Sequence, residues 1–419
     1  ETADWVEVHA EGEEQFVGYD HTECDTRILR YRKVKQKNKE YYHIILSDTP
    51  FYAEMGGQEG DKGLLIGEDG EKIEIFDTKK ENNIGVHLSR EIPANPAQKF
   101  HAVIDTEARM ATSANHSATH LLHEALRDIL GTHVEQKGSY VSPDILRFDF
   151  SHFQKVTNEE LRKVEHLVNS RIHREMPIDE ARKIGAMALF GEKYGDKVRV
   201  VKYASSVELC GGTHVPNTGN IGMLRILSES SIAAGIRRIE AVTGHGVEKL
   251  MDAMQDTARD MQELLGNASD MRQAVVKAIN ENADLKHQVE EFFKERVANQ
   301  TKALLDKPRE INGVKVIEIQ GPKNPDVVKN VAFAIRAAST ESTVFVASTI
   351  DASNKPLLTI MLSDDIVKEG YNAGKIIREA AKNIKGGGGG QPFFAQAGGK
   401  DADGLSKAHE DILKALHLK

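Results

Sequence analysis

The sequence predicts a multidomain α+β protein, and three observations carry that prediction. The chain has 419 residues, too many for one ordinary hydrophobic core, so two to four domains are expected. Its apolar residues alternate over short segments in some regions and recur at helical spacing in others. Clusters of Gly, Asn and Asp divide the short segments but largely vanish in one long helical stretch. Four regions follow: a small β-barrel over 1–106, an α+β core over 107–243, a helical hairpin or coiled-coil arm over 244–308, and a terminal α/β domain over 309–419.

In the first region EQFVGYD, TRILRYRKV, EYYHIILSDT, KIEIFD and FHAVID read as short strands between turns such as GEDGEK and ENN. Strands at this spacing suggest a barrel or closed sheet. FYAEMGGQEGDKG interrupts them, and glycine at such places marks a bend or a close approach of backbone. The second region opens with ARMATSANHSATHLLHEALRDIL, an amphipathic helix with Leu122, Leu126 and Ile129 at helical spacing and Gly131 as its C-cap. QKGSYV and LRFDFSH alternate as strands, and NEELRKVEHLVNSRIHREM forms a second helix ended before Pro177. KVRVVKYA, ELCGG and GNIGMLRILSESSIAAGIRRIEAVTG complete the region as strands.

The third region carries an apolar stripe through Leu250, Met254, Met261, Val275, Ile279, Leu285, Val289 and Phe292. Gly266 and Asn267 break it, and Ser269 is placed to cap a second helix. Two long helices with little else predict an arm that packs on itself or on a second copy. In the fourth region GVKVIEIQ, STVFVASTI and PLLTIMLS read as strands, and DVVKNVAFAIRAAS and YNAGKIIREAAKNIK as helices. GGGGG (386–390) follows as a flexible loop, then a last helix from about Leu405.

The net charge of −9 excludes wholesale electrostatic binding of nucleic acid, so any RNA contact must use local basic surface. Two cysteines cannot build a disulfide framework, which fits a reducing cytoplasm. No apolar run reaches the roughly 18 residues of a membrane span, and no membrane partner is expected. The opening at Glu1 reads as the interior of something longer.

Two residue pairs concentrate metal-ligand chemistry. His116 and His120 stand four apart on the predicted helix, on one face and one turn apart. Cys210 and His214 flank a glycine turn that can fold both toward one point. Together they offer one sulfur and three nitrogens, a set suited to zinc. Each pair is weak alone; the second gains weight because it holds one of only two cysteines. Spacing leaves open whether the ion is structural or keeps an exchangeable position. His123 shares the helical face and reads as a polar edge, and Cys24 reads as structural.

NHSATHLL, THVEQKGSYV, LRFDFSHF, the CGGTHV pair and the late GGGGGQPFFAQAGG, in this order, resemble the editing and C-terminal part of alanyl-tRNA synthetases. FVGYD and FYAEMGGQEGDKG extend the resemblance to nearly the whole chain. It implies that the ATP-dependent aminoacylation domain lies ahead of Glu1, and that this portion hydrolyses seryl- and glycyl-tRNA(Ala) made in error. A pocket shaped for a methyl group rejects an added hydroxyl only weakly, whereas a site that hydrogen-bonds the hydroxyl discriminates far better. The resemblance assigns Zn2+ to His116, His120, Cys210 and His214. It makes Thr119 the reader of the seryl hydroxyl and Gln136 a pocket residue, and places Gly56 and Gly57 against the aminoacyl end of the tRNA.

The terminal domain resembles the family's tRNA-binding appendage. Lys375, Arg378, Lys382 and Lys385 fall at helical spacing against the single Glu379. Lys385, Gly386, Gly388 and Phe394 are the expected RNA contacts, by close backbone approach and stacking, and a homodimer through the arm and this domain is expected. Two other readings share the motifs: a free-standing trans-editing deacylase, and the editing domain of threonyl-tRNA synthetase, which lacks the late glycine motif. A non-catalytic zinc-stabilised RNA-binding module is a third, from another class.

Overall fold

A computed structural model of the chain describes residues 2–177, 179–180, 200–203 and 206–419. The chain divides into two compact units, Glu1–Asp260 and Met261–Lys419.

The first unit begins with strands whose hydrogen-bond ladders form a five-stranded and a four-stranded sheet, with a two-stranded parallel pair beside them. Alternation decides the inward face: along Phe100–Ile104 every second residue is buried, and Ile28, Ile44, Leu46, Phe51 and Phe100 share one core. Hairpins turn at Lys37–Asn38 and Asn82–Asn83, each with positive φ at both residues, the twist a two-residue turn requires. Glu23–Thr26 in one sheet runs on after one residue into Ile28–Gln36 in the other, as does Lys72–Ile75 into Asp77–Glu81, so two strands pass from sheet to sheet in the region where the sequence predicts a barrel.

Helix α1 (Thr106–Leu130) follows. The Asp105 carboxylate accepts the Ala108 N–H, and Gly131 ends the helix at φ 123°, a conformation that favours glycine. Helix α2 (Asn158–His173) starts with a reciprocal Thr157–Glu160 capping box. Both helices pack on an antiparallel sheet ordered Gln136–Val141, Leu146–Ser151, Ile236–Thr243, Leu224–Ala233. Leu121, Leu122, Phe148, Phe150 and Val164 lie in the core between them. Of the expected strand at 197–204, Val200–Tyr203 is described; the remainder lies outside the described residues. Helix α3 (His245–Leu264) comes next.

Helix α4 (Met271–Leu305) is capped by Asp270, whose carboxylate accepts the Gln273 N–H at 2.9 Å. The cap is thus one residue later than the expected Ser269. Its stripe is exposed: Ile279 at 62%, Val289 at 67% and Phe292 at 68%. Beyond it stands a six-stranded mixed sheet with helices α5 (Pro325–Ala338), α6 (Asp364–Lys368), α7 (Ala373–Ala380) and α8 (Leu405–Ala415). Ile317, Phe345 and Met361 face α5 and the end of α4, whereas Val316, Val344 and Ile360 face α7 and α8. Both faces are covered, which is why Thr343–Ile350 is an almost unbroken buried run.

GGGGG is not a flexible loop. Gly387–Gln391 is the edge strand of this sheet, in register with Phe394–Gly398. Missing side chains are what allow it to lie so close to its neighbours. A Cβ on Gly388 would stand 2.1 Å from the Gln396 carbonyl oxygen, and one on Gly386 would stand 2.0 Å from that of Gly398.

Candidate metal centre

From Thr112 to His123 helix α1 is buried on every side, although it is rich in polar residues there. Buried polar groups need partners, and each partner here defines part of the site. Thr112 and Thr119 donate back to the helix carbonyls of Ala108 and Asn115 at 2.9 and 2.8 Å. Asn115 donates to the Ser142 carbonyl and accepts from Thr243. Ser113 Oγ lies 2.8 Å from Thr213 Oγ1, and Ser117 Oγ lies 3.1 Å from His214 Nδ1. The helix therefore holds the loop that carries Cys210 and His214.

Those contacts bring both ligand pairs together. One donor atom from each of His116, His120, Cys210 and His214 lies within 4.8 Å of every other. Cys210 Sγ is 3.2 Å from Nε2 of His116 and 3.2 Å from Nε2 of His214. The His116 and His120 rings stack with centroids 5.3 Å apart, as i and i+4 on a helix dictate. A tetrahedral ion with bonds of about 2.1 Å to nitrogen and 2.3 Å to sulfur separates its ligands by roughly 3.3–3.6 Å, so this cluster fits one cation. Burial, with His116 and His123 alongside, holds the His120 imidazole neutral, well below the ordinary histidine range; neutral imidazole is the form that ligates. His123 stays outside the cluster. It packs on Phe148 and bonds the Val134 backbone, and burial lowers its pKa to about 4. It is a core histidine, not a helix edge.

The glycine turns are steric requirements. A Cβ on Gly212 would stand 2.0 Å from His116 Cε1. Gly56 and Gly57, at φ 59° and 80°, form the turn between Met55 and Gln58, which bond each other in both directions. A Cβ on Gly57 would meet the Ser139 carbonyl at 2.2 Å. The turn thus docks on the strand Gln136–Val141 and delivers Gln58, fully buried, to His116. Gln58, Ser113, Ser117 and Thr213 were not legible as site residues: Gln58 and Ser117 reach a ligand, and Ser113 and Thr213 reach each other, across long sequence separations, and none belongs to a ligand-type residue class.

A cavity of about 630 Å³ adjoins the cluster, walled by His214, Thr213, Ser113, Arg109 and the start of α3. At its rim His245 Nδ1 lies 2.7 Å from a Glu248 carboxylate oxygen. A buried ion pair fixes one wall: Arg109 binds Asp61 through Nε at 2.9 Å and donates to the carbonyls of Gly18 and Pro50, and Tyr19 donates to the Gly211 carbonyl. Thr119, Gln136, Gly56 and Gly57 are not among the described lining residues. Gln136 begins its strand, and its buried amide nitrogen has no hydrogen-bond partner among the described residues. In the second unit Lys385 pairs with Asp401 at 3.0 Å yet stays largely exposed. Gly386 lies just ahead of the edge strand and Gly388 within it, and Phe394 packs on Phe333 with centroids 4.6 Å apart. Phe393 lies under the Arg336 guanidinium at 4.0 Å.

Three family models match. Residues 2–108 match class II (A) tRNA synthetases, 198–240 the threonyl and alanyl tRNA synthetase second additional domain, and 305–418 the DHHA1 domain. An alanine–tRNA ligase of Bacteroides fragilis is 58% identical over 99% of this chain and 48% of its own length. That of Parabacteroides distasonis is 59% identical over 100% and 49%, and that of Porphyromonas gingivalis 52% over 100% and 48%. The chain spans about half the length of these curated relatives. Among solved structures, the C-Ala domain of Aquifex aeolicus alanyl-tRNA synthetase is similar at 27% identity, over 26% of this chain and 97% of that one, with a TM-score of 0.24.

Proposed function

Because this chain belongs to the alanine–tRNA ligase family, over nearly its whole length, we propose that it is the editing portion of such an enzyme, hydrolysing seryl- and glycyl-tRNA(Ala) with zinc at His116, His120, Cys210 and His214. One observation carries the reading: the four donors converge in a buried cluster, yet His214 also forms part of the wall of a cavity. A purely structural ion needs no such opening. When bound, zinc supplies a Lewis acid that polarises a carbonyl or lowers the pKa of a water.

The chain's own groups supply orientation and selection. Thr119 gives its proton to Asn115 and keeps lone pairs that can accept a hydrogen bond from the seryl hydroxyl; alanine has no such donor. The Gln136 amide nitrogen, without a partner among the described residues, is a second polar group for the aminoacyl end. Arg109, held by Asp61, keeps the cavity wall in place. His245, oriented by Glu248, is the imidazole outside the ligand set that can relay a proton at the rim.

The proposed division is 1–106, 107–243, 244–308 and 309–419. The last segment binds tRNA(Ala) through Lys385, Gly386, Gly388 and Phe394, and with the helical arm it forms a homodimer. In the intact cytoplasmic protein this hydrolysis corrects an ATP-dependent ligation of alanine to tRNA(Ala). The matches to alanine–tRNA ligases favour this over a threonyl editing domain.

The test combines zinc content with deacylation of seryl- and alanyl-tRNA(Ala). The expected result is one zinc per chain and cleavage of the seryl ester only, both lost in Cys210→Ala. Zinc-loaded protein that cleaves neither ester overturns the hydrolase reading in favour of a binding module.

A further inference from the structure

We propose that Gln58, supplied by the strand-rich region, is a positioning residue of the metal centre: it sets the His116 tautomer and clamps the loop that carries the other two ligands. The proposal rests on the metal reading above.

The hydrogen bonds around Gln58 fix its orientation without ambiguity. The Thr213 backbone N–H can only donate, and it points at Gln58 Oε1 from 2.9 Å. That oxygen is therefore an acceptor, and Nε2 donates to Thr213 Oγ1 at 2.8 Å. His116 Nδ1 lies 2.7 Å from the same Oε1. An acceptor facing it requires Nδ1 to carry the ring proton. Nε2 of His116 is then the bare nitrogen, and it is the atom 3.2 Å from Cys210 Sγ. One side-chain amide thus aims a lone pair at the ligand cluster and holds the residue just before His214. An acceptor on the far nitrogen of a metal-bound histidine fixes its ring and raises its basicity, and losing one typically costs 10–100-fold in metal affinity.

The surroundings are shaped for that contact. Gln58 follows the Gly56–Gly57 turn, and its neighbour Glu59 donates its N–H to the Val141 carbonyl at 2.9 Å. The main chain is therefore anchored in the sheet of the α+β region before the side chain reaches the histidine. Opposite, a Cβ on Gly212 would lie 2.7 Å from Gln58 Oε1, so the glycine between Cys210 and His214 is what admits the amide. The strand-rich region is on this account part of the metal centre.

The test measures zinc affinity by competition with a chromophoric chelator, and the visible spectrum of the Co2+-substituted protein, in the full chain. Gln58→Leu keeps the volume and removes the acceptor. It should bind zinc about 10–100-fold more weakly and alter the cobalt bands. Gln58→Glu keeps an acceptor for both His116 and Thr213. It should stay within a few-fold of wild type in affinity, while the added charge shifts the cobalt bands. Equal affinity and an unchanged spectrum in Gln58→Leu overturn the proposal and leave the metal reading intact. A wild-type chain that binds neither ion overturns both. If the leucine variant fails to fold, Gln58→Glu decides, since unchanged cobalt bands there overturn the proposal.

Discussion

Two glycine-rich segments of this molecule use the same residue for opposite ends. In the first unit, Gly56 and Gly57 adopt positive φ so that a tight turn can press on Ser139 and present one long side chain, Gln58, to a buried cluster. In the second, Gly387–Gly390 lie in an extended edge strand, where the absence of side chains is itself the feature. One segment delivers a functional group; the other clears space along a sheet edge. Glycine content alone does not distinguish them, but what a Cβ would strike does.

Substitution of the turn should give the largest effect. Gly57→Val combines a Cβ clash with the Ser139 carbonyl at 2.2 Å and a φ of 80° that β-branched residues avoid. We expect a loss of about 3–5 kcal/mol with loss of zinc, read from urea unfolding and metal content. Retention of full zinc occupancy would break the link between turn and metal.

Acid should separate the two units next. His87 bonds Thr49 and the Ile44 carbonyl, and Thr49 in turn accepts the Phe51 N–H, just ahead of the turn. Burial lowers the His87 pKa from 6.5 to about 4. Above the unfolded value both states are neutral and this stability is fully present. Between 6.5 and 4 the unfolded chain takes a proton that the folded chain refuses, so stability falls by up to about 3 kcal/mol. Unfolding of the first unit followed against pH should show that slope, and His87→Gln should reduce it, leaving the share of His120 and His123.

The edge strand allows a finer contrast. Gly388→Val should cost roughly 1–3 kcal/mol in the second unit and weaken tRNA binding with zinc unchanged. Gly387→Ala, where a Cβ meets nothing within 4 Å, should be close to neutral in thermal unfolding. Equal damage from the two would mean that open space along the edge is not what the glycines provide. A modest effect is expected of Lys385→Gln, which should lower tRNA affinity a few-fold and the salt slope by about one unit in titrations at several ionic strengths.

Much of this was legible beforehand, for physical reasons. The helix around Val164 shows itself because burial repeats with the helical period through Val168 and Ile172, the helix around His116 because Leu122, Leu126 and Ile129 stand at helical spacing, and Phe100–Ile104 because burial repeats every second residue. The four ligands are legible because few side chains bind metal and two pairs stand at ligating spacing. The edge strand was not, since glycine carries no alternation and disfavours strands in isolation. Strands could be read along 1–106 but not which of them pair, since partners such as Phe100–Ile104 and Glu23–Thr26 lie far apart in the chain. Gln58 was passed over because its partner Thr213 lies 155 residues away, and no local pattern encodes such a contact.

That separation has a bearing on how the protein is made. Ribosomes release the amide early, the two helical imidazoles next, and the thiolate and last imidazole only after some 150 further residues than the amide. Until then the nascent polypeptide offers an incoming ion no more than a pair of histidines. The full ligand set therefore arrives late in translation, and a product cut short before Cys210 should emerge with its first sheets assembled and its ligand cluster incomplete.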